Sequence, residues 1–277
     1  MLRILLFLAT NVAVLMMAAV AMTVLTALGI IPPDAPYIQL LVWCALFGFG
    51  GAVFSLAISK WMAKRATRAH VIDTPQNDIE RWLVGTIERQ AKQAGIGMPE
   101  VAVFESPDPN AFATGMFRNS ALVAVSTGLL RLMTKEEVEA VLGHEISHIA
   151  NGDMVTLTLI QGVLNTFVLF VARLIASQFE RGRFLIYLAL QMAFGVLASM
   201  IVAWFSRRRE FRADAGGARL ESASAMAAAL ERLRAAQDAP SQLPASLTAF
   251  GIRGKGVAVL LSTHPPLEER IARLRGG

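Results

Sequence analysis

Cysteine is almost missing from this 277-residue chain, and the single one, Cys44, falls inside a long apolar run. An intrachain disulfide is thereby excluded, and so is a zinc centre built on several cysteines. Charge is scarce as well: 17% of residues are charged and 55% hydrophobic. Ordinary soluble domains have about 25% and 45–50%, so much of this chain is made for lipid. Tyrosine is limited to Tyr37 and Tyr187, both at or within apolar runs, which argues against a tyrosine oxyanion donor. Histidine occurs only four times, so two of them sharing one helix face stand out.

Four stretches reach the length of about 20 apolar residues that a hydrocarbon core requires. Residues 4–31 and 38–59 carry no charge, and Pro32-Pro33-Asp34-Ala35-Pro36 between them cannot continue a helix, so the pair forms a hairpin. Residues 154–177 are interrupted only by Arg173, which is near the end of its segment and can snorkel. Residues 184–205 carry no charge and complete a second hairpin. Ala19-Val20-Ala21 resembles a small-residue cleavage site, but the apolar run continues past it, which favours an uncleaved anchor.

Basic residues gather on one side of the spans: Arg3, then Lys60, Lys64, Arg65 and Arg68, then Arg207 to Arg209 and Arg212. Arg181 and Arg183, in the second turn, are outnumbered. The asymmetry predicts cytoplasmic termini and cytoplasmic soluble parts. It also accounts for the net charge of +5 through topology and acidic headgroups rather than nucleic acid.

The chain thus divides into a membrane hairpin at 1–59, a soluble part at 60–153, a second hairpin at 154–205 and a soluble part at 206–277. The two soluble parts must fold together, because neither alone carries a complete site. Apolar residues at helical spacing predict a helix over 77–94 closed by Gly95. Short strands are predicted at 101–104, 110–115 and 121–126. Thr134 with Glu137 forms a capping box that starts the next helix, which stops at Asn151-Gly152. Two more helices are predicted over 207–221 and 222–236, then a loop over 238–246.

That capped helix contains Gly143-His144-Glu145-Ile146-Ser147-His148. Imidazoles four residues apart share one face and can grip one zinc ion, with the carboxylate of Glu145 beside them. Catalytic zinc wants a third protein ligand and an open position for water. With no cysteine in the soluble parts, the third ligand is a carboxylate or His264, and Glu210 is the best candidate. It lies just beyond the fourth span as His148 lies just before the third, and an even number of crossings returns both to one side. Asp214, four residues after Glu210, is placed to accept the spare N–H of a zinc histidine. Glu145 would act as general base on the attacking water. For the developing oxyanion, His264 and Arg270 remain as donors.

Together the His144–His148 motif, Ser206 to Asp214, Asn110 to Gly115 and Ser262-Thr263-His264-Pro265-Pro266 closely resemble the HtpX family of membrane-bound heat-shock zinc metalloproteases, relatives of the CAAX prenyl proteases. The resemblance implies a bacterial inner-membrane endopeptidase of protein quality control, cutting misfolded or damaged membrane proteins from the cytoplasmic side. It implies one catalytic Zn2+ held by His144, His148 and Glu210, with Glu145 as base and His264 and Arg270 positioning the scissile carbonyl. Asn110, Ala111, Phe112 and Ala113 look like the family's edge strand, on which an extended substrate would lie. The expected architecture is a mostly helical, α+β zincin-like (gluzincin) domain fused to four membrane helices. Two other readings are a narrow-substrate processing enzyme of the prenyl-protease type and a non-catalytic scaffold with structural zinc. Four spans are too few to wall off a large chamber, and a structural site has no use for Glu145.

Overall fold

The computed structural model describes residues 20, 23–24, 26–29, 36–238 and 262–276, with backbone alone for 237–238. Nearly all of the first predicted span, the turn after it and the loop after 238 lie outside the described residues. Contacts divide the chain into two units: residues up to Ile58 with Val155–Val202, and Ser59–Met154 with the chain from Ala203 onward.

The first unit is helical. Helix α1 (Pro36–Ala45) passes through a π-helical turn (Leu46–Gly50) into α2 (Gly51–Thr67). The wide turn coincides with a close approach, since a Cβ on Gly48 would lie 2.4 Å from the Thr166 backbone nitrogen. Small residues let membrane helices meet this closely. Helix α6 (Asp153–Ala176) and α7 (Arg183–Leu220) supply the remaining apolar runs. Among the described residues three helices are long and apolar enough to cross a membrane, and only 11%, 11% and 6% of their apolar windows is buried. Apolar helices that bury so little of themselves need lipid around them.

Helix α7 does not end with its apolar run at Phe205 but continues to Leu220, absorbing the separate helix predicted over 207–221. Arginine and alanine are good helix formers and no proline interrupts them. The uncharged apolar part of α7 is residues 184–205, and the helix from Ala203 onward belongs to the second unit. Ser222 accepts the Ala225 N–H at 3.0 Å and starts α8 (Ala223–Asp238).

The second unit is a four-stranded sheet with helices packed on it, in the order β1-β2-β4-β3: β1 (His70–Val71), β2 (Glu100–Phe104), β3 (Ala111–Thr114) and β4 (Leu122–Ser126). β2 and β4 run parallel, while β1 and β3 pair antiparallel at the two edges. Strand alternation sorts the side chains. Val101, Val123 and Val125 join Leu83 and Ile87 of α3 (Asp78–Ala94) and Leu142 and Ile146 of α5 (Lys135–Asn151) in the main core. Ala102, Phe104, Leu122 and Ala124 pack on the other face with Phe112. β1 and the short helix α4 (Thr127–Leu132) were not expected from sequence; α4 starts where Ser126 accepts the Leu129 N–H at 3.1 Å.

Helix α5 carries the histidine motif and is fixed at both ends. The Thr134 N–H donates to Glu137 at 2.9 Å and the Glu137 N–H donates back to Thr134 at 3.3 Å, closing the capping box. Gly152, at φ 68°, turns the chain off the helix end in the left-handed conformation glycine adopts without strain.

Candidate metal centre

The rise of α5 stacks His144 over His148, with their Nε2 atoms 3.1 Å apart. The third group arrives because α7 lies directly on the α5 backbone. A Cβ on Gly217 would come within 3.0 Å of the His144 nitrogen, and one on Gly216 within 2.2 Å of Ser147 Oγ. Only glycine permits that contact, which carries Glu210, under two turns earlier on α7, to the histidine pair. Glu210 Oε1 is 3.3 Å from His148 Nε2, and Oε2 is 3.6 Å from His144 Nε2. Ligand atoms of the three residues lie within 4.8 Å of one another, and all three side chains are buried.

Behind each imidazole stands an acid. His148 Nδ1 is 2.7 Å from Asp153 Oδ2. His144 Nδ1 is 2.9 Å from Asp214 Oδ1, within ion-pairing distance though out of line for a hydrogen bond. Each acid is in turn held by arginine. Arg270 donates from Nε and Nη2 to Asp214 at 2.8 and 2.6 Å, while Arg212 Nη2 reaches Asp153 Oδ1 at 3.1 Å.

These contacts decide the charge states. Burial works against a charge on His148, but its bonds to Asp153 and Glu210 outweigh it and raise the imidazole to about 9. His144 is raised too, burial being overcome by Asp214 and Glu210. Burial opposes the Glu210 carboxylate, yet the three imidazoles of His144, His148 and His264 gathered against it hold it far below the usual range. Asp214 is lowered against burial by Arg270 and His144, and Arg270 is raised against burial by Asp214.

Two nitrogens and a carboxylate, drawn together over a buried acid excess, match the donor chemistry of a divalent ion. Carboxylates on the far nitrogens turn both Nε2 atoms toward it. Binding such an ion there would displace the protons that the raised imidazoles of His144 and His148 otherwise carry.

The other candidates fall as follows. Glu145 is half-buried on the same helix, beside His144 in sequence. The His264 side chain is 67% exposed, with Nδ1 2.9 Å from Glu210 Oε2. Arg270 is buried and committed to Asp214, with Nη1 3.6 Å from Glu210. Ala111, Phe112 and Ala113 lie on β3, the outer strand of the sheet beside α5, and Asn110 precedes them. The Asn110 N–H donates to Ser126 Oγ at 2.9 Å. Sequence reasoning missed Asp153 and Arg212. The signal was available: an aspartate opening an apolar helix, fully buried as Asp153 is, demands a partner.

Residues 77–277 match the model of peptidase family M48. A protease HtpX from Thioalkalivibrio sulfidiphilus is 53% identical, covering 99% of this chain and 98% of the relative. One from Stenotrophomonas maltophilia is 56% identical, covering 99% and 97%, and one from Pseudoalteromonas atlantica is 53% identical over the full length of both. A crystal structure of S. mikatae Ste24p shares the fold, with a TM-score of 0.63 at 17% identity over 95% of this chain and 67% of that one. Similarity along nearly the whole chain, apolar helices and a buried cluster of two histidines and a glutamate agree: the chain belongs to peptidase family M48, as a membrane metalloprotease of the HtpX type.

Proposed function

We propose that this metalloprotease is a zinc endopeptidase of the bacterial inner membrane, with the gluzincin ligand set His144, His148 and Glu210, that cuts misfolded or damaged membrane proteins on the cytoplasmic side. The observation that carries the proposal is the triad itself, buried, with an acid behind each imidazole. Its third member, Glu210, is only five residues past the apolar run of α7, about 7.5 Å along the helix. A site so close to the end of a membrane segment suits clients that are themselves membrane-embedded. Basic residues at the chain ends of the spans support the cytoplasmic placement of both termini and of the catalytic unit.

Zinc, when bound, would supply Lewis acidity, polarising a carbonyl and bringing a water's pKa down to about 7. Glu145 takes the proton of the attacking water and returns it to the leaving amine. His264, exposed beside Glu210, is placed to donate to the carbonyl oxygen as negative charge grows on it. Arg270 acts through Asp214, holding the carboxylate that orients His144. β3 presents the outer edge of the sheet, so an extended segment can add itself there through backbone pairing, with side-chain identity left largely unread. That tolerance fits a quality-control and stress-response protease with many unfolded clients.

The test is zinc content and cleavage of unfolded casein by detergent-solubilised protein and its Glu145→Ala variant. Equal zinc in both with cleavage by wild type alone is expected. Zinc in both and cleavage by neither would point to a narrow-substrate enzyme or a scaffold.

A further inference from the structure

The basic flank of α7 is organised differently from the basic flank of α2. Lys60 and Lys64 both fall on Glu100, Lys60 at 2.9 Å, so their charge is answered within the protein. Past Phe205, by contrast, a cleft of about 710 Å³ is lined by five arginines and a single acid, Glu269. The arginines come from two helices distant in sequence, Arg207, Arg208, Arg209 and Arg212 from α7 and Arg273 from α9 (Leu267–Gly276). Two guanidiniums are stacked: Arg208 lies 4.3 Å from the centre of the Trp204 ring, and Arg273 lies 3.7 Å from that of Phe211.

Stacking fixes a guanidinium plane through its face and leaves its N–H edge to meet a ligand: the Arg208 edge is available, while Arg273 lends Nη2 to Glu269 at 3.0 Å, an exposed contact that water screens and a phosphate can displace. That fork matches two oxygens of a phosphate, the geometry that distinguishes arginine from lysine. The cleft begins at Trp204, in the last turn of the apolar run, the depth at which tryptophan settles in the headgroup layer. On the α2 flank Arg65 also faces an aromatic ring, Trp61, at 5.7 Å; what sets the α7 flank apart is a concave wall to which two helices contribute, with its arginines closer to their rings.

We infer that this cleft binds the phosphodiester headgroup of an anionic phospholipid, with the stacked forks of Arg208 and Arg273 as its principal contacts. Arg209 and Arg212 form the wall shared with the metal centre: Arg209 Nη1 donates to the Asp153 carbonyl at 3.2 Å, and Arg212 holds the Asp153 carboxylate.

The test is native mass spectrometry of the full chain in detergent titrated with phosphatidylglycerol, with phosphatidylcholine and inorganic phosphate as separate arms. The wild type should retain phosphatidylglycerol in preference to phosphatidylcholine. Arg208→Gln/Arg273→Gln should lose about thirtyfold in apparent affinity. Arg65→Gln/Arg68→Gln, which removes equal charge from the α2 flank, should lose little. Equal losses in the two double variants would overturn the site in favour of diffuse attraction. Inorganic phosphate displacing the lipid at equal concentration would overturn the lipid assignment in favour of a free-anion site. Metal content and melting temperature without lipid report folding of each variant. Should the glutamine pair not fold, Arg208→Lys/Arg273→Lys keeps the charge and removes the forks; reduced retention supports the proposal and full retention contradicts it.

Discussion

The two imidazoles of the metal centre are backed by the same sequence of groups, an acid and then an arginine, but the two arms are built of different material. On the His144 side, Asp214 takes two hydrogen bonds from Arg270, and both are buried. On the His148 side, Asp153 is fully buried but its arginine, Arg212, makes one contact and has a side chain 57% exposed. A buried bidentate pair is strong and costly to break from one end, whereas an exposed single contact is screened by water. His144 therefore rests on a rigid backing and His148 on one that can yield, beside the cleft where Arg209 and Arg212 meet the membrane flank.

The largest expected effect cuts across both arms. Glu145→Ala should lower cleavage by about 10²–10⁴-fold with metal content unchanged, because it removes a base and no ligand. His148→Ala and Glu210→Ala should lose metal and cleavage together, measured by metal analysis on the same samples. Next comes the contrast between the arginines. Arg270→Ala leaves a buried aspartate unpaired and should cost about 3–5 kcal/mol. Arg212→Ala should cost less than about 1 kcal/mol. Denaturant melts of the metal-free proteins would break the comparison if the two values came out equal. Asp214→Asn and Asp153→Asn should each weaken metal binding about 10–100-fold, with competition against a chelator as the readout.

The smallest effect is in pH. His148 in the metal-free protein is raised to about 9, so its contribution to stability is complete below the unfolded value near 6.5 and fades as pH climbs through 9. Metal requires the neutral imidazole, so affinity should rise over the same window, with proton release on binding near pH 7.5 visible by calorimetry in buffers of different ionisation enthalpy. Asp153→Asn should reduce that release.

How much of this was legible depended on how locally each feature is encoded. His144 and His148 declare themselves by spacing, because helical periodicity alone puts them on one face. Thr134 and Glu137 announce the start of that helix in the same way. Glu210 and Asp214 needed one further step, the counting of membrane crossings, and the structure brings both to the histidines. Asp153 was passed over because, although His148 is only five residues before it, the two are joined across the helix break at Gly152, and its other partners Arg209 and Arg212 lie more than fifty residues away. The unbroken passage of α7 from apolar run to ligand helix was missed for a related reason. Hydropathy marks where lipid ends, while helix continuity depends on propensity and packing, and the Gly216-Gly217 contact with α5 is visible only in three dimensions.

The central claim is the identity of the ligands, and zinc K-edge X-ray absorption of the loaded protein addresses it most directly. The account predicts two imidazole nitrogens at about 2.0–2.1 Å with oxygen ligands and no sulfur. A sulfur scatterer near 2.3 Å, which only a shell including Cys44 or a methionine could supply, or a third imidazole, which would bring in His264, would contradict it.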